Sequence, residues 1–165
     1  ARNNMPDMAR DDLDQLRRAA ESLGNTSFWG TKVDIQRQVA EAWILFAEGN
    51  TNDALALMRL AADREDLTEK SGVSPGPIAP ARELLGEMLL AADLPGAALE
   101  EFKPAMNEEP GRFGALFGAA QAAERIGDMG LASTYYQRLL EMCERADAEA
   151  RDALIHARES IAGNE

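Results

Sequence analysis

Leu85-Gly86-Glu87-Met88-Leu89, followed by Ala98, Phe102 and Ala105, returns 34 residues later as Ala119-Ala120-Gln121-Ala122-Ala123, Ala132, Tyr136 and Leu139. A fixed period of this size marks a repeat architecture, in which each small helical unit stacks on the next to bury a face it cannot bury alone. The matched residue types supply the physical reason. A small residue (Gly86, Ala120) lets a second helix approach the first, another small residue on that helix (Ala98, Ala132) receives it, and an aromatic (Phe102, Tyr136) fills the gap toward the neighbouring unit. An earlier copy fits Ala42, Leu45, Gly49, Ala54 and Met58, but Ala42 to Gly86 and Ala54 to Ala98 are each 44 apart. The surplus of 10 residues falls between Glu69 and Ile78, where Lys70-Ser71-Gly72-Val73-Ser74-Pro75-Gly76-Pro77 cannot continue a helix.

The period, the Leu-Gly pair, the Ala 12 residues later, the aromatic four after that and the closing Pro110 together resemble the tetratricopeptide repeat pattern. Over about Ile35 to Glu144 the chain resembles bacterial tetratricopeptide repeat proteins. Arg82 stands where that pattern often has Trp, Ala120 replaces the Gly, and Glu144 replaces the closing Pro. The resemblance implies an all-α fold: antiparallel helix-pair repeats in a right-handed superhelix, with an N-terminal helix and a C-terminal capping helix.

Breakers and caps divide the chain into helices over Asp7–Leu23, Lys32–Glu48, Thr51–Glu69, Ala79–Ala92, Pro95–Asn107, Arg112–Ile126, Met129–Glu144 and Asp147–Ala162. Pro95 suits a first helical turn, whereas Pro104 is expected to kink or shorten its helix. The units then run over 35–69, 79–110 and 113–144 within one domain, with an insert at 70–78. The helix at 7–23 reads as the orphaned second helix of a removed unit, which would expose Leu13 and Leu16. The helix at 147–162, capped by Asp147, reads as a polar-faced terminal element. Ala in place of Met at position 1 reads as a processed or excised chain.

Composition agrees with helices. The 30 Ala and 19 Leu far outnumber the 14 Val, Ile and Thr combined, which disfavours sheets. A formal charge of −12 repels phosphate backbones and anionic headgroups, so nucleic acid is not an expected partner. No apolar run approaches the roughly 20 residues a bilayer needs, so membrane insertion is not expected either. The expected chain is a soluble one of the bacterial cytoplasm or periplasm. Cys143 is the single cysteine and reads as a structural thiol.

The sequence offers little for catalysis or for a cofactor. His156 is the only histidine, which removes HExxH-type metal sites. His156 and Ser160 share a helix face at i and i+4, without an evident third group for a triad. The insert lacks a GxxxxGK[ST] or GxGxxG pattern, and Asn25-Thr26-Ser27 reads as a turn before a helix start. The expectation is a protein that is not an enzyme and holds no cofactor or metal.

In a tetratricopeptide superhelix the first helix of each unit lines the concave face, and residues one turn apart point inward together. The resemblance therefore implies inward positions at Val39, Trp43 and Phe46, then Glu83, Glu87 and Leu90, then Phe117, Gln121 and Glu124. Arg82 or Arg125 is placed to neutralise the acidic members. The best-known binding mode of such proteins clamps a C-terminal carboxylate with Lys, Asn and Arg; here Val39, Trp43, Glu83 and Glu87 stand instead, and that clamp is missing. The expected partner is a protein or peptide segment of basic character, attracted by the glutamates and anchored on the aromatics. The alternatives are self-assembly into a homo-oligomer, or service as an accessory domain of a larger protein.

Overall fold

Helix formers separated by Gly, Asn and Pro produce a chain of short helices. The computed structural model describes residues 6–24, 27–68, 77–145 and 151–163, and among them every regular element is a helix. These are α1 (Pro6–Leu23), α2 (Phe28–Ala47), α3 (Thr51–Asp66), α4 (Ala81–Ala91), α5 (Pro95–Glu108), α6 (Phe113–Arg125), α7 (Met129–Met142) and α8 (Asp152–Ala162). The expected Asp147 cap, most of the 70–78 insert and the turn at Asn25-Thr26 lie outside the described residues.

Helix boundaries differ from the sequence reading by a few residues, with α4 over Ala81–Ala91 rather than Ala79–Ala92 and α7 ending at Met142 rather than Glu144, and at α2 and α3 the reason is local. α2 starts at Phe28 rather than Lys32, because the Ser27 hydroxyl accepts the Gly30 N–H at 2.9 Å and caps the helix a turn earlier. α3 ends at Asp66 rather than Glu69, and Thr68 closes it by donating its hydroxyl to the Arg64 carbonyl at 2.8 Å. Pro104 sits inside α5, which continues to Glu108 without breaking.

The turn inside each helix pair is built the same way. Gly49, Asp93 and Gly127 adopt the left-handed backbone, with φ of 84°, 57° and 84°, at the 44- and 34-residue spacings of the repeat. After them, the Asn50, Leu94 and Asp128 N–H groups reach back to the Leu45, Leu89 and Ala123 carbonyls at 2.9, 2.9 and 3.0 Å. This is the Schellman closure, which satisfies carbonyls that a helix end leaves without partners. Asp93 holds without glycine a conformation its two counterparts take with it.

The chain forms two compact units, residues 1–88 and 89–165. In the first, α1 packs on α2 and α2 on α3 around Ile35, Ala42, Ala54 and Met58, each fully buried. Contrary to the orphan reading of α1, Leu13 is 8% exposed and Leu16 is half-buried. One ion pair ties α3 to α2, Arg64 to Asp34 at 2.7 Å, and within α2 Arg37 binds the same Asp34 at 2.7 Å and Glu41 at 2.6 Å. Burial raises the Asp34 carboxyl, but the hydrogen bonds from Arg64 and Arg37 outweigh it and hold the group below its ordinary value. At the start of α4, the buried Glu65 carboxylate accepts the Ala81 N–H at 2.6 Å.

In the second unit, α5 packs on α6, α6 on α7 and α7 on α8. Its centre is an alanine-lined crossing, with Ala98, Ala119, Ala120, Ala123 and Ala132 all at 0% exposure. Phe102 and Tyr136 are the largest fully buried side chains. The closest approach is at a residue the repeat alignment passed over. A Cβ on Gly118 would lie 2.7 Å from two ring carbons of Phe102, so the ring sits directly on the α6 backbone.

Candidate functional site

The expected binding residues divide between the two units. In the first, Val39, Trp43 and Phe46 follow one another by about one turn along a single face of α2. Val39 is buried at 6% exposure, while Trp43 and Phe46 are half-buried and meet edge to face at 5.8 Å between ring centroids. Glu83, in the first turn of α4, is buried at 6% exposure, and Glu87, one turn on, is half-buried. Arg82 binds Asp63 and Asp66 at the end of α3, at 2.7 and 2.6 Å.

The first unit also holds an open pocket of about 300 Å³ between α1 and α2, lined among others by Leu13, Ile44 and Leu45. Its charged rim is already paired. Arg10 binds Glu48, Arg17 binds Asp14 at 3.1 Å, and Glu41 is held by Arg37. At the α1–α2 corner Leu23, Phe28 and Trp29 are exposed, the two rings meeting edge to face at 5.1 Å.

In the second unit, Leu90 is buried, and its carbonyl accepts a hydrogen bond from the exposed Arg125 at 2.8 Å. Arg125 thus spends a donor on backbone rather than on a neighbouring glutamate. Gln121 is half-buried on α6. Phe117 and Glu124, two turns apart on α6, both meet Tyr136 of α7 and His156 of α8, and Glu124 also meets Ser160.

Glu124 is the centre of that cluster. One carboxylate oxygen, Oε2, accepts the Tyr136 hydroxyl at 2.9 Å and faces His156 Nε2 at 3.0 Å; the other, Oε1, accepts the Ser160 hydroxyl at 3.2 Å. Phe117 and Tyr136 flank the imidazole edge to face, at 6.2 and 5.6 Å between centroids. One turn earlier on α6, Phe113 stacks on Phe117 at 6.3 Å and carries the Arg151 guanidinium 4.8 Å above its ring. The third group the sequence lacked for His156 and Ser160 is therefore Glu124. Only the i, i+4 spacing of His156 and Ser160 hinted at it; Glu124 lies 32 residues away from the histidine.

The chemistry of the cluster is that of a clasp. A serine nucleophile needs its proton aimed at a base that can take it, with the acid behind that base. Here the carboxylate sits between the other two groups and receives the serine proton itself. Burial raises the Glu124 carboxyl, but the hydrogen bonds from His156, Tyr136 and Ser160 bring it below its ordinary value of 4.5. Burial and the Glu124 carboxylate both raise the Tyr136 phenol, which therefore stays a proton donor. Among the described residues no group of three or more His, Cys, Asp or Glu is arranged to hold a metal ion. No helix among them is long and apolar enough to cross a membrane.

The sign of the Glu124 shift sets a pH dependence. A carboxyl lowered in the folded state stabilises the fold above its unfolded value and loses that contribution as pH falls through the folded one. Urea unfolding between about pH 5 and pH 3 should show stability falling more steeply for the wild type than for Glu124→Gln. Parallel curves would mean that the clasp does not hold the carboxylate in solution.

No protein-family model matches the chain, and no curated protein matches it. Among solved structures, the fold is similar to that of PcrH from Pseudomonas aeruginosa, with a TM-score of 0.60 and 14% sequence identity over 79% of this chain and 90% of that one. PcrH has tetratricopeptide-like helical repeats, and the chain has that all-α, helix-pair repeat fold.

Proposed function

We infer that the chain is a protein-binding repeat module that takes a segment of another protein on the aromatic face of α2 and performs no chemistry of its own. The observation that carries this reading is the half-buried pair Trp43 and Phe46 on α2, aromatic surface at positions where a tetratricopeptide-like fold receives its ligand. Amphipathic aromatics of this kind dominate binding energetics wherever they are finally desolvated. The segment is basic: the chain carries a charge of −12, which steers cations toward it and repels acidic peptides.

Selection of randomised peptides displayed on phage against the immobilised chain tests this. Enrichment of peptides that combine Lys or Arg with large apolar residues is expected. Phe46→Ala should weaken the selected peptides at least tenfold with unchanged helical circular dichroism. Enrichment of acidic peptides, or affinity indifferent to Phe46, would remove the reading.

A second reading, self-assembly, draws on the exposed Leu23, Phe28 and Trp29 at the α1–α2 corner. It requires a mass that rises with concentration in light scattering and falls back to the monomer in Trp29→Ser.

A further inference from the structure

The first unit holds an open pocket and an exposed aromatic corner on the same pair of helices, α1 and α2. The pocket, about 300 Å³, has an apolar floor in Leu13, Ile44 and Leu45. The charges around it are held in ion pairs, Arg10 with Glu48, Arg17 with Asp14, and Glu41 with Arg37. A charged guest would have to displace one of those partners, so the pocket suits a guest that is neutral and mostly apolar. An indole meets that description. Its body covers the floor, the guanidinium groups of Arg10 and Arg17 can face its rings, and a rim carboxylate accepts its N–H.

The chain presents such a group on its own surface. Trp29, at 58% exposure, is the most exposed aromatic among the described residues, and Phe28 braces it edge to face. The corner beneath it is rigid. The Ser27 N–H donates to the Gly24 carbonyl at 2.9 Å, the Ser27 hydroxyl donates to the Leu23 carbonyl at 2.7 Å, and a Cβ on Gly30 would clash with the Gly24 carbonyl. An aromatic anchor held this way loses little freedom on docking. Charge favours a second copy at this place. Two chains of −12 repel each other over most of their surface, but from Leu23 to Val33 the sequence has no acid and one cation, Lys32. At the pocket, Asp14, Glu41 and Glu48 outnumber Arg10 and Arg17, so a positive corner meets an acid-rich rim. Leu45 lies 16 residues after Trp29, about 24 Å along α2. Two copies opposed head to tail about a two-fold axis near the middle of α2 then make both contacts at once.

We propose that the chain pairs with a second copy of itself, the Trp29 indole of each copy seated in the α1–α2 pocket of the other. It rests on the self-assembly reading and adds the face that receives the corner. Light scattering of the full chain over a concentration series should show a mass that rises to twice the monomer's and no further. Trp29→Ser, and Leu45→Trp, which fills the pocket from its own wall, should each weaken pairing at least tenfold with unchanged helical circular dichroism. Glu48→Lys, on the exposed rim and away from the core, should weaken it in the same direction. Mixing decides the contact: the Leu45→Trp chain keeps its indole and the Trp29→Ser chain keeps its pocket, so the two together should pair where neither does alone. A chain that stays monomeric at every concentration overturns the proposal and the self-assembly reading together. A dimer that Trp29→Ser dissolves but both pocket variants leave intact, or a mixture no more associated than its components, overturns the pocket contact and leaves self-assembly standing. Mass growing beyond the dimer overturns the reciprocal arrangement.

Discussion

Gly118→Ala should lose about 2 kcal/mol of stability, although alanine is the better helix former. The helix-propensity gain is about 1 kcal/mol. Against it stands a new methyl 2.7 Å from two ring carbons of Phe102, a side chain with no solvent-exposed surface and nowhere to swing. Overpacking of that severity belongs at the upper end of the usual range of about 1–3 kcal/mol, so the steric effect wins. A double-mutant cycle separates this cause from any general weakening of α6. Phe102→Leu removes the outer ring atoms and alone costs stability through the cavity it leaves. Combined with Gly118→Ala, the methyl and the space meet, and the double variant should be more stable than the sum of the singles predicts by about 1 kcal/mol or more. Urea midpoints of the four chains give the answer. Strict additivity would mean that the ring does not rest on Gly118.

Glu65→Ala should cost about 2–3 kcal/mol, while Glu65→Gln should cost about 1. The carboxylate is buried and accepts the first N–H of α4, that of Ala81, itself at 0% exposure. Alanine leaves that donor buried without its acceptor and also removes a negative charge from a helix N-terminus; glutamine restores an acceptor and loses only the charge. Relief of the buried charge opposes both losses, which is why the difference between the two variants is more informative than either value. Denaturant midpoints measure it, and amide exchange at Ala81 reports the site directly. Equal costs for the two substitutions, with Ala81 protection unchanged, would place the stabilisation elsewhere.

The repeat was legible in the sequence because close-packed helices restrict which residue types can stand at their crossings. Ala98 and Ala132, read as small partners at a crossing, are fully buried, and Phe102 and Tyr136, read as gap fillers, are the largest buried side chains. Gly49 and Gly127 announced the turns by their conformational freedom; Asp93 fills the same position without such a signal, so only the 34-residue spacing points to it. Gly118 gave no signal either, since a glycine within a helix has many possible reasons and the one that applies is a ring from another helix.

The candidate site was legible only as positions. Spacing along α2 and α6 placed Trp43, Phe46, Phe117 and Glu124 on their helices, but spacing cannot say what a side chain meets across a gap. Glu83 lies buried, Arg82 answers Asp63 and Asp66, Arg125 answers a backbone carbonyl, and Glu124 is taken by Tyr136, His156 and Ser160. Helix content, repeat period and turn positions are set by local propensity and by small residues at fixed intervals, and the sequence alone determined them. The partners of each charged group depend on which helices are neighbours in space and bring donor and acceptor atoms to hydrogen-bond distance, and only the tertiary structure decided those.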